Sequence, residues 1–403
     1  MKSKTGNIVI LKKRLLILPA AAIVAILLYK VFYIKLTGHH EGIFLLKGRK
    51  GHFFEVKDDL YLGDGSRYIF GLDFDRFMSC RKGDFAGKAP CLYYEWNEKD
   101  GSGFIRNYLP GGRQIFTSLS RFEYAEKESD IPEELEVHGI FVGGGLPANV
   151  AWENEVMENE TGMAYFDGKR WFHLWCNVNE GIASAITKRQ LDPSRWRFLG
   201  SRILNASNKE LALTSEHEVG MDGVPLRIRK SAYFRAGRPY FIMSIKVTNA
   251  GDRPVGYYYT YGDEPWLGDF GTSAGNVGWV SDRLIKYVQF VDTSKYNYAG
   301  LFDYGNDANG SPHNFTNVAN FIEWHGKNKP AVYFSNGADD YPKNDGKKVP
   351  LSSDERFIGL EWGPITLAPG ESDMYALVIG MAEYNPITGL PVKPSVRLKF
   401  VPQ

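Results

Sequence analysis

Residues 261–279 read YGDEPWLGDFGTSAGNVGW, with three carboxylates (Asp263, Glu264, Asp269), two indoles (Trp266, Trp279) and five glycines. Paired carboxylates serve as acid and base in glycoside or uronate chemistry. With further oxygens they hold Ca²⁺. The indoles offer faces on which a sugar ring stacks. Asp263 and Glu264 are adjacent, so on an extended chain they point opposite ways. Glu264 and Asp269 converge only if the loop folds back, which Gly268 and Gly271 permit. The same composition also fits a rigid, tryptophan-packed loop that closes one end of a β-structure without binding anything.

A second cluster is DGKRWFHLWCNVNEG, residues 167–181. Asp167 and Gly168 have the chemistry of a hairpin turn. On the strand that follows, Trp171, His173 and Trp175 share one face, and Phe172, Leu174 and Cys176 share the other. His173 between two tryptophans is either a general base or sugar contact, or a satisfied structural imidazole. Glu180 follows at the strand end. The candidate catalytic set is therefore His173, Glu180, Asp263 and Glu264. The candidate ligand-binding set is Trp171, Trp175, Trp266, Asp269 and Trp279.

Other signals are weaker. FVGGGLP (141–147) lacks the spacing of a phosphate-binding loop. GNDANG (305–310) begins a calcium loop with glycine instead of aspartate and has Thr316 where the closing glutamate belongs. Of Glu216, His217 and Glu218, only the two carboxylates share a face, as on a solvated strand edge. Asn159, Asn205, Asn309 and Asn314 begin N-x-S/T triplets, which matter only in a glycosylating host. No cysteine–histidine spacing suggests a zinc site, so no resident metal is expected beyond the Ca²⁺ option. Cys80 and Cys91 flank a short polar loop and either close it as a disulfide or remain reduced with Cys176.

The elements that position these residues are strands. Short apolar runs bounded by turn residues follow one another: GIFLLKG, GHFFEVK, CLYYEW, RQIFTSL. In PYFIMSIKVTN (239–249), Phe241, Met243, Ile245 and Val247 face one side, and Ile242, Ser244, Lys246 and Thr248 the other. AGDRP (250–254) is turn chemistry and VGYYYTY (255–261) resumes the strand pattern, which predicts a hairpin. APGES (368–372) predicts a second hairpin, and SVRLKFV (395–401) a last strand. Helix is expected only at 147–158 and around 130–136. Residues 337–353 form a long exposed loop. The pattern predicts an all-β fold, a large antiparallel β-sandwich.

The stretches IKVTNAGDRPVGYYYTY and LAPGESDMYALVIGMA resemble the large sandwich of galactose-mutarotase-like proteins over roughly residues 167–382. The resemblance implies a supersandwich and a carbohydrate context. The family's catalytic His and Glu have no matching positions that the motifs fix.

A net charge of +1 and the absence of a basic stripe give no reason to expect nucleic acid. Residues 15–34 (LLILPAAAIVAILLYKVFYI) are long enough to cross a bilayer as a helix. Lys2, Lys4, Lys12, Lys13 and Arg14 precede them, which places the N-terminus in the cytoplasm and the body outside, periplasmic or extracellular. A cleaved signal peptide is the rival reading, but no small-x-small site follows the run. The expected organisation is a basic tail (1–14), a signal-anchor (15–34), a stem (35–41) and a β-body (42–403). The body is either one unit or a smaller one to 135 and a larger one from 136. Two functions fit: a cell-envelope protein that binds or modifies carbohydrate, and a non-catalytic module that docks a partner protein.

Overall fold

A computed structural model describes residues 39–46, 49–57, 66–72, 76–78, 90–98, 101–118, 122–125, 157–159, 162–168, 171–175, 178–263, 267, 276–304, 316–338, 340–343, 345–351 and 356–398. Among the described residues twenty-seven strands follow one another in chain order. The first eleven are β1 (His39–Leu46), β2 (Arg49–Lys57), β3 (Ser66–Leu72), β4 (Arg76–Met78), β5 (Cys91–Asn97), β6 (Ser102–Tyr108), β7 (Gln114–Ser118), β8 (Phe122–Ala125), β9 (Met157–Asn159), β10 (Gly162–Phe166) and β11 (Trp171–Trp175). They build two sheets, ordered β1-β2-β3-β8-β9 and β11-β10-β7-β6-β5-β4. β10 and β11 pair across Asp167 and Gly168, as the turn chemistry predicts.

The remainder is β12 (Val178–Ser184), β13 (Gln190–Leu191), β14 (Arg197–Ala206), β15 (Glu210–Met221), β16 (Val224–Arg235), β17 (Tyr240–Asn249), β18 (Val255–Asp263) and β19 (Asn276–Val280). Then come β20 (Arg283–Ile285), β21 (Gln289–Phe290), β22 (Tyr298–Asp303), β23 (Ala319–Gly326), β24 (Ala331–Ser335), β25 (Phe357–Leu367), β26 (Ser372–Asn385) and β27 (Leu390–Val392). They form a six-stranded sheet, β13-β12-β18-β25-β24-β21, and a ten-stranded one, β14-β15-β16-β17-β26-β23-β22-β19-β20, with β27 on β26. Among the described residues all pairings are antiparallel. The two sheets stack face to face, with side chains from both inner faces in one apolar cluster.

β17 shows how the sequence dictates this. Phe241, Met243, Ile245 and Val247 enter the core between the sheets. Ile242 faces the other way, into a second cluster on the outer face of the large sheet with Tyr240, Trp279, Phe302, Phe321 and Val378. Val396 and Leu398 pack over that outer cluster.

Both predicted hairpins around this strand are absent. β17 pairs with β16 and β26, whereas β18 pairs with β12 and β25 in the opposite sheet. Residues 250–254 and 368–371 are therefore arches that carry the chain from one sheet to the other. Asn249, fully buried, fastens them together. Its Nδ2 donates to the carbonyls of Arg253 (2.8 Å) and Leu367 (3.0 Å), and its Oδ1 accepts from Gly251 N (2.9 Å). Turn chemistry marks a reversal of the chain, and the same residues serve a reversal within one sheet or between two.

Other expectations are corrected as well. Residues 395–398 run without strand pairing. β1 begins at His39, so His39 and His40 lie in a strand and not in a stem. Glu216 and Glu218 do share a face, but on β15, which lies between β14 and β16 and is not an edge. They pair with Arg229 (2.6 Å) and Arg197 (2.5 Å).

The proposed helical stretches at 130–136 and 147–158 and the apolar run 15–34 lie outside the described residues. Among the described residues no helix is long and apolar enough to cross a membrane. Cys91 is disulfide-bonded; Cys80 and Cys176 lie outside the described residues.

The sheet containing β5–β7 and β10–β11 closes one end of the sandwich. Asn107 Nδ2 donates to the carbonyls of Arg235 and Arg238, both at 2.9 Å, at the turn between β16 and β17. Asn320 Nδ2 on β23 donates to Leu174 O (2.7 Å) on β11.

Candidate functional site

The sequence candidates separate into three groups. Glu180 and Asp263 come together. β12 and β18 pair Val178 with Asp263 and Glu180 with Tyr261, so the two carboxylates are diagonal neighbours on the inner face. Both are buried. Trp175 and Trp279 are buried too, and each spends its indole N–H on a backbone carbonyl, Gly380 O (3.4 Å) and Asn320 O (3.0 Å). Neither offers a face on which a sugar can stack, which corrects their reading as ligand platforms. Gly300 of β22 makes room for the Trp279 ring. A Cβ there would stand 2.6 Å from the indole nitrogen. Trp171 and His173 lie on β11, and only their backbone is described. Glu264, Trp266 and Asp269 lie outside the described residues.

Glu180 belongs to a polar knot inside the sandwich. Lys230, from the opposite sheet, donates its ammonium to one carboxylate oxygen, and the Tyr259 hydroxyl donates to the other. Both members of the ion pair have side chains with 0% exposure. The Trp196 ring lies 5.0 Å from Lys230 Nζ. Burial pushes the Lys230 pKa down, against the pull of Glu180. Burial and the Glu180 charge push Tyr259 and Tyr261 well up. Lys230 was legible in the sequence. Leu226, Ile228, Ala232 and Phe234 occupy the same face of β16, so a lysine between them must enter the core. The knot is sealed from solvent and ties the two sheets together.

A different cluster stands on the outer face of the large sheet, where solvent reaches it. Glu323 and His325 are two residues apart on β23 and so share a face. Glu323 Oε1 accepts from His325 Nε2 at 2.7 Å and Oε2 from Lys393 Nζ at 2.5 Å. Asn297 Nδ2 stands 3.4 Å from Oε1. The ammonium of Lys393 sits 5.3 Å from the Tyr298 ring centre and 5.5 Å from that of Phe321. The glutamate side chain is 6% exposed and the histidine 27%. Burial works to raise the Glu323 pKa, but hydrogen bonds from His325 and Lys393, with their charges, outweigh it and hold the carboxyl below its usual range. An ionised carboxylate thus orients a half-exposed imidazole, an arrangement that can pass a proton to and from a hydroxyl. Sequence reading passed over these residues. The signal was NFIEWHG, in which Phe321, Glu323 and His325 alternate with Ile322 and Trp324.

Among the described residues no group of three or more His, Cys, Asp or Glu is placed to hold a metal ion. Beside the pair on β23 stands the ammonium of Lys393, which would repel a cation.

No family model matches the chain. No curated protein matches it. Solved structures that align with the chain include galactose-mutarotase-like and aldose-epimerase proteins. A candidate aldose 1-epimerase from Klebsiella pneumoniae aligns at 11% identity over 77% of this chain and 88% of its own, with a TM-score of 0.40. A galactose mutarotase-like protein from Clostridium acetobutylicum aligns at 8% identity over 72% and 98%, with a TM-score of 0.34. The GalM/aldose epimerase homologue from C. elegans aligns at 11% over 70% and 100%, also at 0.34.

Proposed function

We propose that this is a cell-envelope protein that binds or modifies carbohydrate on the outer face of its large sheet, around His325. One observation carries the reading: a carboxylate-oriented, half-exposed imidazole stands on the open face of β23, and Lys393, which shares that carboxylate, lies over the half-buried ring of Tyr298. Hydroxyl-rich ligands need both proton-exchanging polar groups and apolar faces. In the same proposal residues 15–34 hold the protein in the membrane with its body outside. The apolar run behind a basic tail supports this, as does a disulfide at Cys91, a bond that persists in oxidising compartments. Glu264, Trp266 and Asp269 remain proposed contacts from the loop after Asp263, with Ca²⁺ as their option.

The test is a glycan-array screen of the full chain in detergent, with and without Ca²⁺, repeated with His325→Ala and Trp266→Ala. Binding to one glycan class that drops at least tenfold in His325→Ala, at an unchanged unfolding midpoint, is the expected outcome. Retention unchanged by His325→Ala would remove the site from the outer face. A silent wild-type protein would favour the docking module instead.

A further inference from the structure

The outer face of the six-stranded sheet carries a second surface, remote from His325. Tyr287, Phe290, Tyr341 and Val349 are 43%, 46%, 38% and 44% exposed. They lie together beside the short edge strand β21. Tyr287 bridges to Pro350, and Val288 N donates to Val349 O (2.9 Å). Phe290 and Tyr341 flank Tyr333 of β24, with ring centres 6.0 and 4.6 Å from it. Tyr333 is buried against Gly359 of β25, where a Cβ would stand 2.3 Å from its ring, so the ring lies directly on the sheet. Tyr341 stacks on that ring at 31° and donates its hydroxyl to Glu361 at 2.5 Å. Tyr341 is therefore held along the sheet, whereas Phe290 meets Tyr333 edge-on at 66° and stands beside it as a wall, so the ligand finds a fixed stacking face and a side before it arrives.

The rim gives the charge of the ligand. Lys286, Lys343, Lys347 and Lys348 are exposed, and among the described residues none has a carboxylate partner. Lys348 Nζ stands 5.8 Å from the Tyr287 ring centre. Of the acidic groups nearby, Glu361 accepts from Tyr341, Asp345 accepts from Lys347 N (3.0 Å), and Asp340 precedes Tyr341, so these four lysines outnumber the three carboxylates. We propose that this surface binds an anionic polysaccharide, with pyranose rings stacked on Tyr341 beside Phe290 and acidic groups met by Lys286, Lys347 and Lys348. A bilayer also attracts aromatic and lysine side chains, but it favours apolar groups that project from the surface. Here Tyr341 is instead tied back to Glu361 over the buried Tyr333 ring.

The site is on the other sheet from His325, so the two can fail separately. The experiment measures retention of the full chain on immobilised polygalacturonate, with dextran as the neutral control and phosphatidylglycerol vesicles as the lipid control. Wild type should bind polygalacturonate well above dextran. Tyr341→Ala combined with Phe290→Ala should lose at least tenfold. Lys347→Gln with Lys348→Gln should weaken binding and flatten its salt dependence between 50 and 200 mM, both approximate settings chosen to span the range where screening is strong. Ile387→Ala, at an exposed position between β26 and β27, should bind polygalacturonate as wild type does. Wild-type affinity in the ring variant, loss in Ile387→Ala, no binding to polygalacturonate, or binding to vesicles alone would each overturn the proposal.

Discussion

Glu180→Gln and Lys230→Met test the polar knot from opposite sides. Each leaves one partner buried at 0% exposure without its counter-charge. Breaking such a pair costs about 3–5 kcal/mol. The stranded group has one escape, which is to change protonation, and that sets a ceiling. Neutralising a lysine of ordinary pKa costs about 4.6 kcal/mol at pH 7 and about 1.9 at pH 9. Protonating a glutamate costs about 3.7 kcal/mol at pH 7 and about 1.6 at pH 5.5. The two variants should therefore show opposite slopes relative to wild type. The deficit of Glu180→Gln shrinks as pH rises, and that of Lys230→Met shrinks as pH falls. Glu180→Leu with Lys230→Met removes both charges but orphans the Tyr259 hydroxyl, leaving a cost of about 1–3 kcal/mol. Adding Tyr259→Phe should bring it close to wild type. Urea unfolding followed by tryptophan fluorescence at pH 5.5, 7 and 9, settings approximated to bracket the two reference pKa values, gives all the differences. Parallel slopes in the single variants, or a cost below about 1 kcal/mol in either, would mean that solvent reaches the pair and that the sealed interior is wrong.

Two further outcomes follow from buried hydrogen-bonding groups. Asn249→Ala removes three hydrogen bonds from a fully buried staple and should cost about 2–4 kcal/mol, read as a lowered urea midpoint at unchanged slope; a change under about 0.5 kcal/mol would show that the arches hold without it. Burial raises the pKa of Tyr257, Tyr259, Tyr261 and Tyr375 in the folded chain. Their contribution to stability is complete below the unfolded value of about 10 and declines as pH rises above it. Absorbance near 295 nm, an approximate wavelength for tyrosinate, should show these four ionising only together with alkaline unfolding; smooth titration in the folded protein would place them in contact with water.

The sequence announced which way each side chain points far better than which sheet it belongs to. Alternation along 239–249 correctly sends Phe241, Met243, Ile245 and Val247 into the core. Nothing local distinguishes the arch at 250–254 from a hairpin, because the pairing partners of β17 and β18 lie elsewhere in the chain. The same limit hid the meeting of Glu180 with Lys230. Each is readable as an inward charge, but their contact depends on how two sheets stack. Glu323 and His325 needed only the two-residue spacing of a strand. Trp279 ends a glycine-rich stretch that reads as a loop, yet it lies on β19 as a buried ring, with its clearance supplied by Gly300 across the pairing with β22.

The two arches also set a timetable for the nascent chain. β17 is completed at Asn249, yet its partner β26 begins at Ser372, more than a hundred residues later. At about 5–20 residues per second of synthesis, one edge of β17 waits roughly 6–25 s for its match. During that time it presents Ile242, Ser244, Lys246 and Thr248 on one side, an apolar row on the other and open backbone along its length. Lys246 at the middle of that edge is then a guard against strangers, since a charge there discourages another chain from completing the sheet before β26 arrives.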